Sequence, residues 1–201
     1  ISSAYQSAHA KVNPFAPDTQ FVKDFGSLKS VNTLFRDQAD YFKTFFNNQS
    51  MPELSGGPID GATAQRIGSM LKREARQFSG SQTVADQKLG KAFKDAVDVF
   101  DELLARTNPA AAPEIRKANA AFARMIRMEG ASAAAGATDG IFTAPQFSAA
   151  VRRTDMSPRK GEFARGGALM QDLSYPAKAV LPSTVPDSGT GFRTAVNAGV
   201  A

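Results

Sequence analysis

FKDAVDVFDELLARTNP, residues 93–109, is the stretch that decides the fold. Its apolar positions Phe93, Ala96, Val97, Phe100, Leu103 and Leu104 recur at three- and four-residue intervals, which places them on one face of a helix. Asp98, Asp101 and Glu102 fall on the opposite, polar side. Asn108-Pro109 closes the helix, because a proline restricts the residue before it to extended backbone.

The same period appears on either side. Downstream, Pro113 suits a first helical position, and Ile115, Ala118, Phe122, Met125 and Ile126 carry another stripe beside Arg116, Lys117, Arg124 and Arg127. Upstream, Asp60 is placed to cap a helix with the inner face Ile67, Met70, Leu71, Ala75 and Phe78, and Gly80 suits a left-handed C-terminal cap. Three amphipathic helices on short turns predict an all-α fold. Its centre is a small antiparallel bundle over residues 58–136, with Phe78, Phe93, Phe100 and Phe122 buried.

Ser55-Gly56-Gly57-Pro58 defeats both helix and central strand and marks a segment boundary before the bundle. From Asp18 to Asn48 the apolar spacing predicts one aromatic-rich helix kinked near Gly26, whereas residues 1–18, with Pro14 and Pro17 and no period, read as an extended arm. Beyond Gly130, the small residues to Gly140 mark a second boundary. Thr143 then caps a short helix carrying Phe147, Ala150 and Val151, and a further helix is expected from Phe163 to about Leu173. Residues 137–181 are thus read as short helices with a basic loop. Residues 182–201 are read as an extended tail, too poor in apolar groups to offset backbone entropy.

Composition narrows the chemistry. Among 201 residues there is no cysteine, which removes disulfides, thiolate metal sites and thiol catalysis, and the single histidine, His9, lies in the expected arm and reads as exposed. A net charge of +5 attracts polyanions only modestly. No apolar run reaches the roughly 18 residues of a membrane span. A chain beginning at Ile1 is expected to be a processed product or an excerpt from a longer polypeptide.

Catalytic patterns are not met. Gly90-Lys91 is followed by Ala92 and has Ala85 where a phosphate loop needs its first glycine, so Lys91 reads as a solvent-facing lysine within a helix. Ser183 and Ser188 lack a base, and Pro186 stands where a nucleophile elbow needs glycine. Asp98, Asp101 and Glu102 read as solvated carboxylates on a helix's polar face. No catalytic, cofactor or metal residue is assigned, and no enzymatic activity is expected.

Binding residues are assigned instead. Arg152, Arg153, Arg159, Lys160 and Arg165 form the densest basic stretch, interrupted by Asp155 and Glu162; it reads as a solvated loop, a surface for an acidic protein partner, or a phosphate contact. Val185 and Phe192 are the anchors the tail could lay on a neighbour. Seven of the 15 phenylalanines precede residue 47, which suits either a buried face or a subunit contact.

Residues 140–193 resemble the C-terminal region of large internal, ejection or DNA-transfer virion proteins of short-tailed bacteriophages. The likeness rests on Phe142-Thr143-Ala144-Pro145-Gln146-Phe147, Ala150-Val151-Arg152-Arg153-Thr154-Asp155, Arg159-Lys160-Gly161, Ala164-Arg165-Gly166, Leu169-Met170-Gln171-Asp172-Leu173, Ala179-Val180-Leu181-Pro182 and Pro186-Asp187-Ser188-Gly189-Thr190 with Arg193. Residues 58–136 resemble the helical part that precedes this region in such proteins, on Gly61, Ile67, Ser69, Leu71 and Ala75. The resemblance implies a structural protein made in the host cytoplasm and located in the virion, packed as a homo-oligomer. It would contact portal, tail or neighbouring copies, with packaged DNA as a further candidate partner and no small-molecule substrate. The alternatives are a tape-measure-like tail scaffold and the C-terminal part of a wall-degrading virion enzyme.

Overall fold

The computed structural model describes residues 2–134, 141–157, 160–174 and 176–181. They form an all-α protein in which α1 (Ser2–His9), α2 (Thr19–Gly26), α3 (Arg36–Phe45), α4 (Met51–Ser55), α5 (Gly61–Ser79), α6 (Val84–Thr107), α7 (Ala112–Ser132), α8 (Ala144–Arg153), α9 (Gly161–Ala164) and α10 (Ala177–Val180) follow in order. In the described residues strand-like pairing is limited to isolated bridges, including an antiparallel one between Phe15 and Ile59. The chain divides into two compact units, residues 1–121 and 122–201, each with its own apolar core.

The first unit is built on α5 and α6. Asp60 accepts from the Thr63 amide at 2.8 Å and Thr83 from the Asp86 amide at 3.2 Å, so each helix starts on a side-chain cap. Gly68 lies beside the Phe100 ring, Lys72 pairs with Asp101, and Gly90 lies against Ser79, so the two helices run antiparallel. A Cβ at Gly90 would stand 2.4 Å from the Ser79 amide nitrogen. That closeness explains a glycine inside a long helix. Lys91 is solvent-facing, as expected, and it pairs with Asp95. Phe93, Phe100, Ile67, Leu71 and Leu103 are buried between the two helices and their neighbours.

Several expectations are corrected here. Residues 1–18 are not a bare extended arm: residues 2–9 are helical, and Ala8, His9, Val12 and Phe15 are buried in the first unit. Ser55 to Pro58 does not separate two cores, since Phe21, Phe42, Phe45, Phe46 and Leu54 share one core with Ile59, Ile67 and Phe93. The single kinked helix from Asp18 is broken instead into α2, a 3₁₀ turn (Val31–Thr33), α3, one π turn (Phe46–Ser50) and α4. Its rings wrap Phe93, with Phe42 and Phe45 each 5.0 Å from it. These early aromatics therefore take up core positions around α5 and α6. From the third stripe only Ile115 and Ala118 are buried, while Phe122, Met125, Ile126 and also Phe78 are half-buried. Gly80 ends α5 with φ −80°, not in the left-handed region, because its amide still reaches Arg76 and Phe78 carbonyls.

The second unit gathers Ala131, Phe147, Ala150, Val151, Ala168 and Ala177 into a core flanked by Phe142, Phe163, Met170 and Leu181. Thr143 and Gln146 form a reciprocal capping box at the start of α8, where the sequence placed a cap. The expected helix from Phe163 to Leu173 is reduced to α9 and a 3₁₀ turn (Gln171–Leu173). Gly166 at φ +83° and Met170 at φ +65° reverse the chain between them.

Candidate interaction surface

The basic stretch starts at the end of α8, and its folding is governed by an acid. Asp155 is buried and accepts hydrogen bonds from the Ser157 amide at 2.8 Å, the Ser157 hydroxyl at 2.8 Å and the Phe163 amide at 2.9 Å. Burial by itself raises this carboxyl, but the bonds from Phe163 and Ser157 and the charge of Lys160 outweigh it and hold it below the usual range. The Ser157 hydroxyl also accepts from the Glu162 amide at 2.8 Å, which ties α9 to the same knot.

Lys160 completes the turn. It adopts left-handed backbone at φ +56°, and its ammonium donates to the carbonyls of Arg153 and Asp155. Those carbonyls lie at and just beyond the last turn of α8, where a cation is favoured. Arg153 donates to the Gly130 carbonyl at 3.1 Å, and Arg165 pairs with Glu162 at 2.5 Å. Arg152 is exposed. Arg159, Val185 and Phe192 lie outside the described residues.

The stretch is therefore partly architectural. Lys160 and Arg153 each spend a donor on backbone carbonyls, and Arg165 has an acid beside it. Arg127 is a further cation in this unit. Its Nη1 donates to the Ala123 carbonyl at 2.6 Å, its Nε is buried with no partner, and burial lowers its pKa against the raising effect of Asp155. Exposed apolar side chains also occur in the second unit: Ile141, Met156, Leu169, Leu173 and Val180.

In the first unit the carboxylates near Asp98 sit on the outer side of α6. Asp101 pairs with Lys72 and Glu102 lies 4.0 Å from Arg106. Asp98 is raised chiefly by burial, with Asp95, Asp101 and Glu102 adding to this and Lys94 opposing it. Among the described residues no cluster of His, Asp or Glu converges as a metal-ligand set, and no helix is long and apolar enough to cross a membrane. His9, read as exposed, is buried with its Nδ1 2.9 Å from the Tyr5 carbonyl. Phe35 and Tyr41 are exceptions among the early aromatics: both stay exposed, and the Lys88 ammonium lies 4.6 Å above the Phe35 ring.

The sequence showed Asp155 only as an acid within the basic stretch and Asn108 only as part of a helix stop, not the bonds either one makes. A signal for Asp155 exists, since Asp-x-Ser favours a side-chain-closed turn. Asn108 is buried, accepts from the Asn13 amide at 2.8 Å, and is invisible to any local pattern because its partner is distant in sequence. No protein-family model, no curated protein and no solved structure matches the chain.

Proposed function

We propose that this chain is a structural virion component of a tailed bacteriophage, an internal or ejection-type protein packed in several copies and assisting DNA delivery. The observation that carries the reading is the residue pattern of 140–193, which resembles the C-terminal region of such proteins. In this chain much of the pattern has an architectural task. Thr143 and Gln146 cap α8, Phe147, Ala150 and Val151 fill the core, Asp155 and Lys160 close the basic turn, and Gln171 donates to the Phe163 carbonyl at 2.8 Å. Among the described residues of the basic stretch, Arg152, Arg153 and Arg165 keep exposed side chains for a portal, tail or neighbouring-copy surface, or for packaged DNA.

The test is particle composition. Gradient-purified particles, digested and sequenced by mass spectrometry, contain peptides of this chain at several copies per particle. A chain synthesised during infection but missing from the particles contradicts the proposal.

A further inference from the structure

The two units are built from unequal material. The first buries Phe42, Phe93, Phe100, Ile67, Leu71 and Leu103, among others, around two helices of 19 and 24 residues. In the second, five of the seven buried core residues among the described residues are alanine, and only Phe147 and Val151 are larger. An alanine takes a single methyl out of water, so this core gains far less from burial than the first. Phe142, Phe163, Met170 and Leu181 are half-buried against it. Ile141, Met156, Leu169, Leu173 and Val180 stay exposed, so the described part of this unit exposes more large apolar side chains than it buries fully.

Polar contacts make up part of the difference. The Asp155 carboxylate accepts from the amides of Ser157 and Phe163 and from the Ser157 hydroxyl, Lys160 donates to the Arg153 and Asp155 carbonyls, and Arg153 ties the end of α8 to Gly130 of α7. Each such bond replaces one to water, so its net contribution is modest. Against them stand Lys160 at φ +56° and Met170 at φ +65°, side-chain-bearing residues in left-handed backbone. The helices add little of their own: α8 has ten residues, α9 and α10 four each, all too short to persist without the unit that holds them.

We propose that the second unit opens by itself while the first stays folded, and that the Asp155 knot is the latch that sets how often it opens. The two cores share no residue, so loss of the second removes no buried side chain from the first. Asp155 is the latch because one side chain joins residues 155, 157 and 163, which fixes the chain between α8 and α9, and its three bonds are lost together. Opening frees α8 from Gly130 and turns Phe147 and Val151 to solvent, beside apolar groups that are exposed already. The region that carries the basic stretch thereby rearranges at no cost to α5 and α6. Opening needs neither a second copy nor a particle, so it stands or fails on the purified chain, apart from any role in a virion.

Amide hydrogen exchange of the purified chain, followed residue by residue by NMR and expressed as protection factors, reads the two units separately. In the parent chain the Val151 amide of α8 is protected at least about tenfold less than those of Phe93 and Phe100 in α6. Asp155→Ala lowers protection at Val151 several-fold further and leaves Phe93 and Phe100 as they were. Should the variant lose the second unit outright, Val151 exchanges at the unprotected rate while the α6 amides stay protected, which is the same result in its extreme form. Equal protection in the two units of the parent, or a loss in the variant that is equal at Val151, Phe93 and Phe100, overturns separate opening. An unchanged Val151 in the variant overturns Asp155 as the latch.

Discussion

Phe100 is 2% exposed, with its ring 3.8 Å from the position a Cβ on Gly68 would take. Its truncation to Ala removes a large buried ring at the centre of the α5–α6 contact and is expected to cost about 3–5 kcal/mol, read from chemical denaturation. A loss below about 1 kcal/mol would mean that the face is not a core. Asp155 makes a different prediction. Its folded pKa is lowered, so its stabilisation is fully present above the ordinary carboxylate value of about 3.9 and is lost as pH falls through the lower folded value. Asp155→Asn is therefore less stable than the parent at neutral pH, and the difference shrinks below about pH 4. A pH-independent difference in denaturation midpoints would contradict the knot. Phe100 was legible because a helical period exposes its neighbours; Asp155 was not, because its value lies in amides contributed by the turn that follows it.

At the scale of elements, long stripes were readable and short ones were not. α5 and α6 repeat their apolar positions over several turns, and their caps at Asp60 and α8's at Thr143 obey a local rule. The eight residues of α1 offer too few turns for a period, and its anchors are spread beyond its end, at Val12 and Phe15. Its order comes from tertiary contacts, which no window of sequence displays. The same holds for the chain after Asp18, where aromatic spacing suggested one helix but packing around Phe93 required breaks. Gly61 tests how residues 2–15 are seated. Gly61→Ala places a methyl where the His9 carbonyl stands, so about 1–3 kcal/mol of overpacking cost is expected, with faster amide exchange at Val12 and Phe15. Gly68→Ala, whose Cβ meets only an ordinary 3.8 Å contact, serves as the control and leaves those amides protected.

For the whole molecule, all-α class followed directly from the dominance of the helical period and the lack of alternation, but the division into units did not. A segment boundary was expected at Ser55 to Pro58, yet residues on both sides of Gly56 and Gly57 pack together, because a turn interrupts helix and not burial. The basic stretch was visible as charge, while the tasks of Lys160, which closes the turn, and of exposed Arg153, which bonds the Gly130 carbonyl, needed geometry. The role proposed for this folded pattern is in a virion that delivers DNA. Its most direct test compares the abundance of this chain, by quantitative mass spectrometry, in DNA-filled particles and in the same particles after triggered DNA release. The account predicts several copies per filled particle and a marked loss on release. Equal abundance before and after, or absence from filled particles, would contradict it.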